Sequence, residues 1–158
     1  MISFKSNGSS CGGYLANGGG AGVIVIQEWW GLVPHIQDVA DRFAAAGYTA
    51  LAPDLYHGQS STEPDGAGKL MMGLNLATAA KDLSGAVDEL IQRTGTSKVG
   101  VVGYCMGGAL SLMLACERPD AVAAAGRSAR RLAEREFNWN ITSRGLLRTV
   151  EASLTTGS

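Results

Sequence analysis

The sequence predicts an α/β protein built on a doubly wound, mostly parallel sheet with right-handed crossovers. Two observations predict this fold class. Strand-like and helix-like patterns alternate along the chain, which is typical of parallel sheets whose strands are joined by helices. The β-branched run at residues 23–26 has no polar alternation, as expected of a strand buried on both faces.

Side-chain periodicity and turn residues predict the elements in chain order. They are a short hairpin in residues 2–15, a strand at 23–26, a helix at 34–46, a strand at 48–52, a helix from 76 to 91, a strand at 98–102, a helix at 106–116 and a fourth parallel strand at 121–125. Residues 53–73 are rich in Gly, Pro, Ser and Asp, and predict a long loop with one turn of helix. Loops of this length often serve an active site.

The domain is expected to end near residue 125. A chain of 158 residues suits a single core. From Gly126 onward, however, Arg occurs without Lys and no strand pattern resumes, so residues 126–158 are predicted to be a divergent Arg-rich tail. Two explanations stay open. The tail is an amphipathic helix around 128–137 with a disordered end, or the reading frame changes upstream of it.

Composition excludes several classes of protein. Hydrophobic residues make up 46% of the chain and charged residues 17%, which is a globular composition. The net charge is −1 and no basic stripe is present, so no nucleic-acid partner is expected. The N-terminus lacks a signal-peptide apolar region and no apolar stretch could span a bilayer, which predicts a cytoplasmic protein without a membrane partner.

The three cysteines are predicted to act through reactivity or packing. Cys11, Cys105 and Cys116 share no CxxC motif and no Cys/His ligand spacing, which argues against disulfides and against a zinc site. No metal and no cofactor are expected. Cys11 and Cys116 carry no motif, and small hydrophobic packing is their expected role.

The strongest motif is Gly-Tyr-Cys-Met-Gly-Gly at residues 103–108. It follows an apolar strand and opens a helix, which is the context of a nucleophile elbow with Cys105 in place of serine. Glycines suit so sharp a turn because a Cβ atom there would clash with the neighbouring strand and helix. The helix N-terminus also favours a thiolate. The alternative interpretation is a buried cysteine in a Gly-rich turn.

A second candidate group follows the strand at 23–26. Glu28 lies in Gln-Glu-Trp-Trp-Gly at the carboxyl end of that strand, where open α/β sheets assemble their sites. On its own, Glu28 would be interpreted as a solvated loop acid. Trp29 and Trp30 are equally compatible with packing against the helix at 34–46 and with lining an apolar pocket.

Three segments resemble the dienelactone hydrolase (carboxymethylenebutenolidase) family of the α/β-hydrolase superfamily. They are VIVIQEWWG (23–31), AAAGYTALAPDLYHG (44–58) and KVGVVGYCMGGAL (98–110), and the resemblance covers about residues 1–125. It implies a three-layer α/β-hydrolase-like fold, incomplete on its C-terminal side. It also implies that Cys105 is the nucleophile and that Glu28 helps to generate the thiolate. The oxyanion hole would consist of the backbone N–H groups of Met106 and Trp29.

The chain departs from the family pattern beyond Cys105. The triad Asp and His of the family have no counterpart in residues 126–158, because the last Asp is Asp120 and no His follows His57. His57 is a weak candidate for a relocated base, since no orienting acid is identifiable, and His35 is expected at the surface. Only Lys69 offers a cation in residues 58–72, where the family holds the substrate carboxylate with Arg.

Two functional hypotheses therefore remain. The resemblance implies a carboxylesterase-type hydrolase that opens lactones or small esters through a cysteine acyl-enzyme, with a small-molecule ester or lactone as its partner. The alternative is a truncated product without turnover, either a binding module or a chain that self-associates through an exposed sheet edge.

Overall fold

The computed structural model describes residues 1–6 and 8–122. Within them the strands form one sheet in the order β1-β2-β4-β3-β5. The strands are β1 (Ile2–Ser6), β2 (Ser9–Asn17), β3 (Gly22–Ile26), β4 (Thr49–Pro53) and β5 (Gly100–Gly103), and the helices are α1 (Pro34–Ala45), α2 (Pro64–Gly73), α3 (Leu76–Thr94) and α4 (Met106–Glu117).

The sheet has an antiparallel half and a parallel half. β1 and β2 form the predicted hairpin, and β2 continues antiparallel to β4. β3 lies at the centre of the parallel half, with β4 on one side and β5 on the other. The predicted α/β class is confirmed, and the carboxyl ends of three parallel strands meet at one edge of the sheet.

Helices cover both faces of the sheet. Alternation along β3 sends Val23 and Val25 toward α1, while Ile24 and Ile26 face α3 and α4. Both sets are almost fully buried, as predicted for a strand covered on both sides. The three-layer arrangement expected from the resemblance is therefore present in the described residues.

Two predicted elements differ from the structure. Residues 53–73 contain a ten-residue helix, α2, and not a single turn, because Pro64 and Asp65 suit a first helical turn and good helix formers follow. The strand predicted at 121–125 is wrong for residues 121 and 122, the two that the structure describes. Ala121 and Val122 are helical, and both donate backbone hydrogen bonds to Arg118 O, at 3.1 and 2.9 Å. Residues 123–158, including the predicted tail, lie outside the described part of the chain.

Helix α3 packs across the sheet along most of its length. Asn75 caps it by accepting a hydrogen bond from the Thr78 N–H at 3.0 Å. Leu76, predicted to lie on the apolar face, is 58% exposed in the first turn, and the buried residues of α3 begin at Ala79. Asp82 is fully buried on the inner face. In the described part of the chain, no helix combines the length and apolarity needed to cross a membrane.

The close approach of α3 to β1 requires glycine at position 85. A Cβ atom on Gly85 would lie 2.2 Å from the backbone oxygen of Lys5. Gly85→Ala should therefore lower the free energy of unfolding by roughly 1–3 kcal/mol, the usual cost of overpacking, despite the better helix propensity of alanine. Urea denaturation of the full chain measures this.

Gly68→Ala is the matched control, since it adds a methyl group to α2 with no atom within 4 Å. It should leave stability unchanged or raise it by about 0.5–1 kcal/mol. A Gly85→Ala protein as stable as the unmodified chain would show that α3 does not lie this close to β1.

Candidate active site

Cys105 occupies a strained turn between β5 and α4. Its backbone has φ 54° and ψ −123°, a conformation that side-chain-bearing residues rarely adopt. A Cβ atom on Gly103 would lie 2.2 Å from Gly107 O, and one on Gly107 would lie 2.7 Å from the backbone oxygens of Ile26 and Gln27. Only glycine fits at these two positions. The turn leaves the Cys105 side chain exposed to solvent at the start of α4.

The sheet register brings Glu28 and Cys105 to equivalent positions. β3 pairs with β5 so that Ile26 lies opposite Gly103. Glu28 lies two residues after Ile26, and Cys105 lies two residues after Gly103. Both therefore lie at the carboxyl ends of adjacent parallel strands. Glu28 is partly buried, whereas Cys105 is exposed. The two predicted groups therefore lie at the same edge of the sheet.

Two backbone N–H groups that follow β3 and β5 lack a hydrogen-bond acceptor among the described residues. Among the described residues, the N–H groups of Met106 and Trp29 donate no hydrogen bond. Met106 begins α4, so its N–H is one of the unsatisfied donors at a helix N-terminus. Preorganised donors of this kind stabilise an oxyanion when it forms near them.

The loops after β3 and β4 support each other. Gly31 and Ser60 form an isolated antiparallel bridge, and the Ser61 N–H donates to Trp30 O at 3.0 Å. The indole rings of Trp29 and Trp30 meet edge to face, with centroids 4.9 Å apart, and both residues stay partly exposed. These contacts fix the backbone directly after Trp29.

Tyr56 is a residue of this site that the sequence analysis missed. It is 5% exposed, and its hydroxyl donates to Met106 Sδ at 3.5 Å. Burial raises the pKa of the Tyr56 phenol above its ordinary value, and the negative charge that Cys105 would carry raises it further. Its position three residues after β4, in the quoted family segment, was a signal that could have identified it.

A buried polar network holds the turn that carries Tyr56. Gln27 Oε1 accepts the Leu55 N–H at 3.1 Å and so joins the ends of β3 and β4. The Asp54 carboxylate accepts the N–H groups of Tyr56 and Gly58, at 3.2 and 2.6 Å. The turn is thereby fixed by hydrogen bonds and not only by packing.

His57 faces a buried carboxylate that the sequence analysis did not identify. His57 Nε2 lies 3.0 Å from Asp82 Oδ2, so an acid partner exists for this histidine. No hydrogen bond joins His57 to Cys105 or Glu28 among the described residues. Asp82 shares the inner face of α3 with Ala79 and Ala86, at spacings of three and four residues. An acid in the apolar stripe of a helix was the available signal.

The remaining candidates lie elsewhere. His35 is exposed on α1, as predicted, and Lys69 is exposed on α2. Asp120 is exposed and forms an ion pair with Arg118 at 3.3 Å, and the hydrogen bond from Arg118 lowers the pKa of its carboxyl. Cys11 is buried, as predicted. Cys116 is exposed, contrary to the packing prediction, because Leu110 and Leu114 define the buried face of α4.

Comparisons with known proteins agree on the family. The sequence pattern of the dienelactone hydrolase family matches residues 12–134, and the chain belongs to that family. Protein usf of Aquifex pyrophilus is 42% identical over 132 residues, covering 77% of this chain and 57% of that protein. The carboxymethylenebutenolidase homolog of Homo sapiens is 32% identical over 94 residues, covering 56% of this chain and 38% of that protein.

Solved structures show the same fold. The dienelactone hydrolase from Anabaena variabilis superimposes with a TM-score of 0.57 at 27% identity, covering 77% of this chain and 58% of that one. The chain thus spans little more than half the length of such relatives. The chain therefore belongs to a family of hydrolases, and the members of that family have the α/β-hydrolase fold.

The three cysteines should differ in their rates of alkylation. Burial raises the pKa of the Cys11 thiol to about 12, and the nearby Asp82 adds to the effect. At neutral pH its thiolate should be about a thousandfold scarcer than at the ordinary value of 9.0. Brief iodoacetamide treatment followed by peptide mapping should give the order Cys105, then Cys116, then Cys11.

Cys116 is the informative internal control, because it is exposed at the other end of α4 and lies far from the helix N-terminus. If folded protein were alkylated at Cys116 faster than at Cys105, the elbow would confer no special reactivity.

Proposed function

We propose that the chain is a cysteine-dependent hydrolase of lactones or small carboxylic esters, with Cys105 as its nucleophile. The observation that carries this proposal is the position of Cys105, exposed on a strained strand-to-helix turn and in register with Glu28. An unfavourable backbone conformation of this kind persists only where the surrounding structure enforces it. Here the enforcing groups are the glycines at 103 and 107 and the end of β3.

The first half of the reaction uses groups at the end of the sheet. Glu28 accepts the thiol proton as substrate enters, and the Cys105 thiolate attacks the ester carbonyl carbon. The carbonyl oxygen becomes an oxyanion facing the Met106 and Trp29 N–H groups. The intermediate collapses, the carbon–oxygen bond of the ester breaks, and the leaving alkoxide takes the proton that Glu28 had accepted and departs as the alcohol. A thioester on Cys105 remains.

The second half requires a base. Water must lose a proton as it attacks the thioester, and the released acid must leave while the thiol reforms. In the described residues, Glu28 follows β3 at the sheet edge where Cys105 follows β5, while His57 faces Asp82. Acylation is therefore better supported than deacylation by the residues at this site.

The names of relatives agree with this substrate class. The matched human protein is named as a carboxymethylenebutenolidase homolog, and the Anabaena protein as a dienelactone hydrolase. The chain matches only part of each of these two proteins. The activity that their names describe is therefore a proposal for this chain. Residues 58–72 contain no arginine, which argues against dienelactone itself as the substrate of this chain.

The chain should hydrolyse p-nitrophenyl acetate in a burst of no more than one equivalent and then nearly stop. Acylation needs only the thiolate and the oxyanion donors, whereas losing general-base assistance should slow deacylation roughly 10²–10⁴-fold. Stopped-flow absorbance measures the burst, and mass spectrometry should find an acetyl group on Cys105.

Cys105→Ser should abolish the burst, and Cys116→Ser, at an exposed cysteine outside the site, should keep it. Sustained turnover that His57→Ala abolishes would show that the His57–Asp82 pair serves as the base. A burst that survives Cys105→Ser would remove the nucleophile assignment.

A second candidate function is self-association without turnover. β5 is the last strand of the described sheet and pairs only with β3 among the described residues. Tyr104, directly after β5, is 50% exposed, and Leu112 on α4 is 73% exposed. Helix α4 is apolar on all sides, so part of its apolar surface stays uncovered. Exposed apolar surface next to an unpaired strand edge favours association between chains.

Light scattering should therefore detect oligomers of the unmodified chain. Leu112→Lys should shift the population toward monomer, since a charge on the exposed apolar surface of α4 opposes its burial against another chain. Leu76→Lys, which changes an exposed leucine on α3, is the matched control and should leave the oligomers in place. A monodisperse monomer with a cooperative thermal transition would contradict self-association.

A further inference from the structure

We propose that Cys11 Sγ, His57 Nε2 and Asp82 Oδ2 form a binding site for a divalent transition-metal ion of the zinc class, separate from the Cys105 turn. One ligand atom from each of the three residues lies within 4.8 Å of the other two, and His57 Nε2 lies 3.0 Å from Asp82 Oδ2. They come from three elements, since Cys11 lies on β2, His57 follows β4 and Asp82 lies on α3. Sequence spacing gave no sign of this site because its members are far apart along the chain.

The orientation of Asp82 is the main observation. The side chain is fully buried, and the Ser6 hydroxyl donates to Oδ1. Oδ2 accepts no hydrogen bond, although His57 Nε2 lies 3.0 Å away. A buried carboxylate oxygen without a hydrogen bond is costly unless a cation balances it. Ser6 therefore holds the carboxylate so that Oδ2 is turned toward the histidine and the thiol.

The donor set selects the class of ion. A thiolate and an imidazole are ligands for zinc and its neighbours, whereas magnesium and calcium prefer oxygen donors. Three protein ligands leave one tetrahedral position for water. As the metal–sulfur bond forms, the Cys11 thiol releases its proton to solvent.

Access and spacing are compatible with metal entry. The His57 side chain is 46% exposed and lines a cavity of about 500 Å³ between the turn after β4 and helices α2 and α3. Ligand atoms of tetrahedral zinc lie about 3.5 Å apart, so closing the site needs shifts of about 1 Å. At present the Cys11 thiol makes only weak contacts, with Gly12 O at 3.2 Å and Asp54 O at 3.7 Å.

Titration of the full chain with Co²⁺ tests the site directly. Co²⁺ replaces zinc in such sites, and a bound thiolate gives a near-ultraviolet charge-transfer band that an ion pair cannot produce. The band should saturate at one Co²⁺ per chain, and Zn²⁺ should displace it. His57→Gln should weaken Co²⁺ binding at least tenfold, and Cys11→Ser should remove the thiolate band.

Cys116→Ser and Cys105→Ser are controls that should keep the band, since neither residue belongs to the cluster. Because Cys11 is buried and its replacement can perturb folding, His57→Gln supplies the decisive second variant at an exposed position. Zn²⁺ should raise the Tm of the unmodified chain but not that of His57→Gln. No charge-transfer band, a band that persists in Cys11→Ser, or unchanged affinity in His57→Gln would overturn the proposal.

Discussion

The register between β3 and β5 is the constraint on which the candidate site depends. With Ile26 opposite Gly103, the chain leaves both strands at the same level, and α4 must begin directly against the end of β3. Side chains at 103 and 107 would collide with backbone there, so glycine occupies both positions. Cys105, between these glycines, has a strained backbone conformation, and its side chain is exposed. One pairing register thus places the Cys105 turn and Glu28 at the same edge of the sheet and brings the start of α4 against the end of β3.

The turn after β4 serves two neighbouring clusters. Asp54 and Gln27 fix the backbone of this turn by hydrogen bonds. The side chains of the two successive residues Tyr56 and His57 then point in different directions. Tyr56 reaches Met106 beside the Cys105 turn, whereas His57 turns toward Asp82 and Cys11 on the α3 side. A displacement of this turn would therefore alter both clusters together. Its rigidity comes from buried hydrogen bonds, which resist small shifts better than a loop held only by solvent-exposed contacts.

Local signals were sufficient for most of the fold and for the residues next to the elbow. The apolar run at 23–26 predicted a strand buried on both faces, and the glycines around Cys105 predicted a turn too tight for side chains. The length of helix α2 was underestimated because its glycines resemble those of a loop. Residues 121–122 were predicted as strand because short apolar runs do not distinguish strand from helix. Tyr56 and the pairing of His57 with Asp82 depend on contacts between distant segments, and Cys116 depends on which face of α4 is buried. Periodicity marks Asp82 as an acid on the apolar face of α3, but it does not identify the partners of Asp82 or Tyr56.

The assignment of Cys105 as nucleophile is tested most directly by a crystal structure of the full chain with a trifluoromethyl ketone ester mimic. The thiolate of Cys105 should add to the ketone carbonyl, and the resulting oxyanion should lie about 2.7–3.1 Å from the N–H groups of Met106 and Trp29. Glu28 should lie beside the adduct. An inhibitor bound away from Cys105, or an adduct whose oxygen faces solvent and not these two N–H groups, would contradict the proposed chemistry.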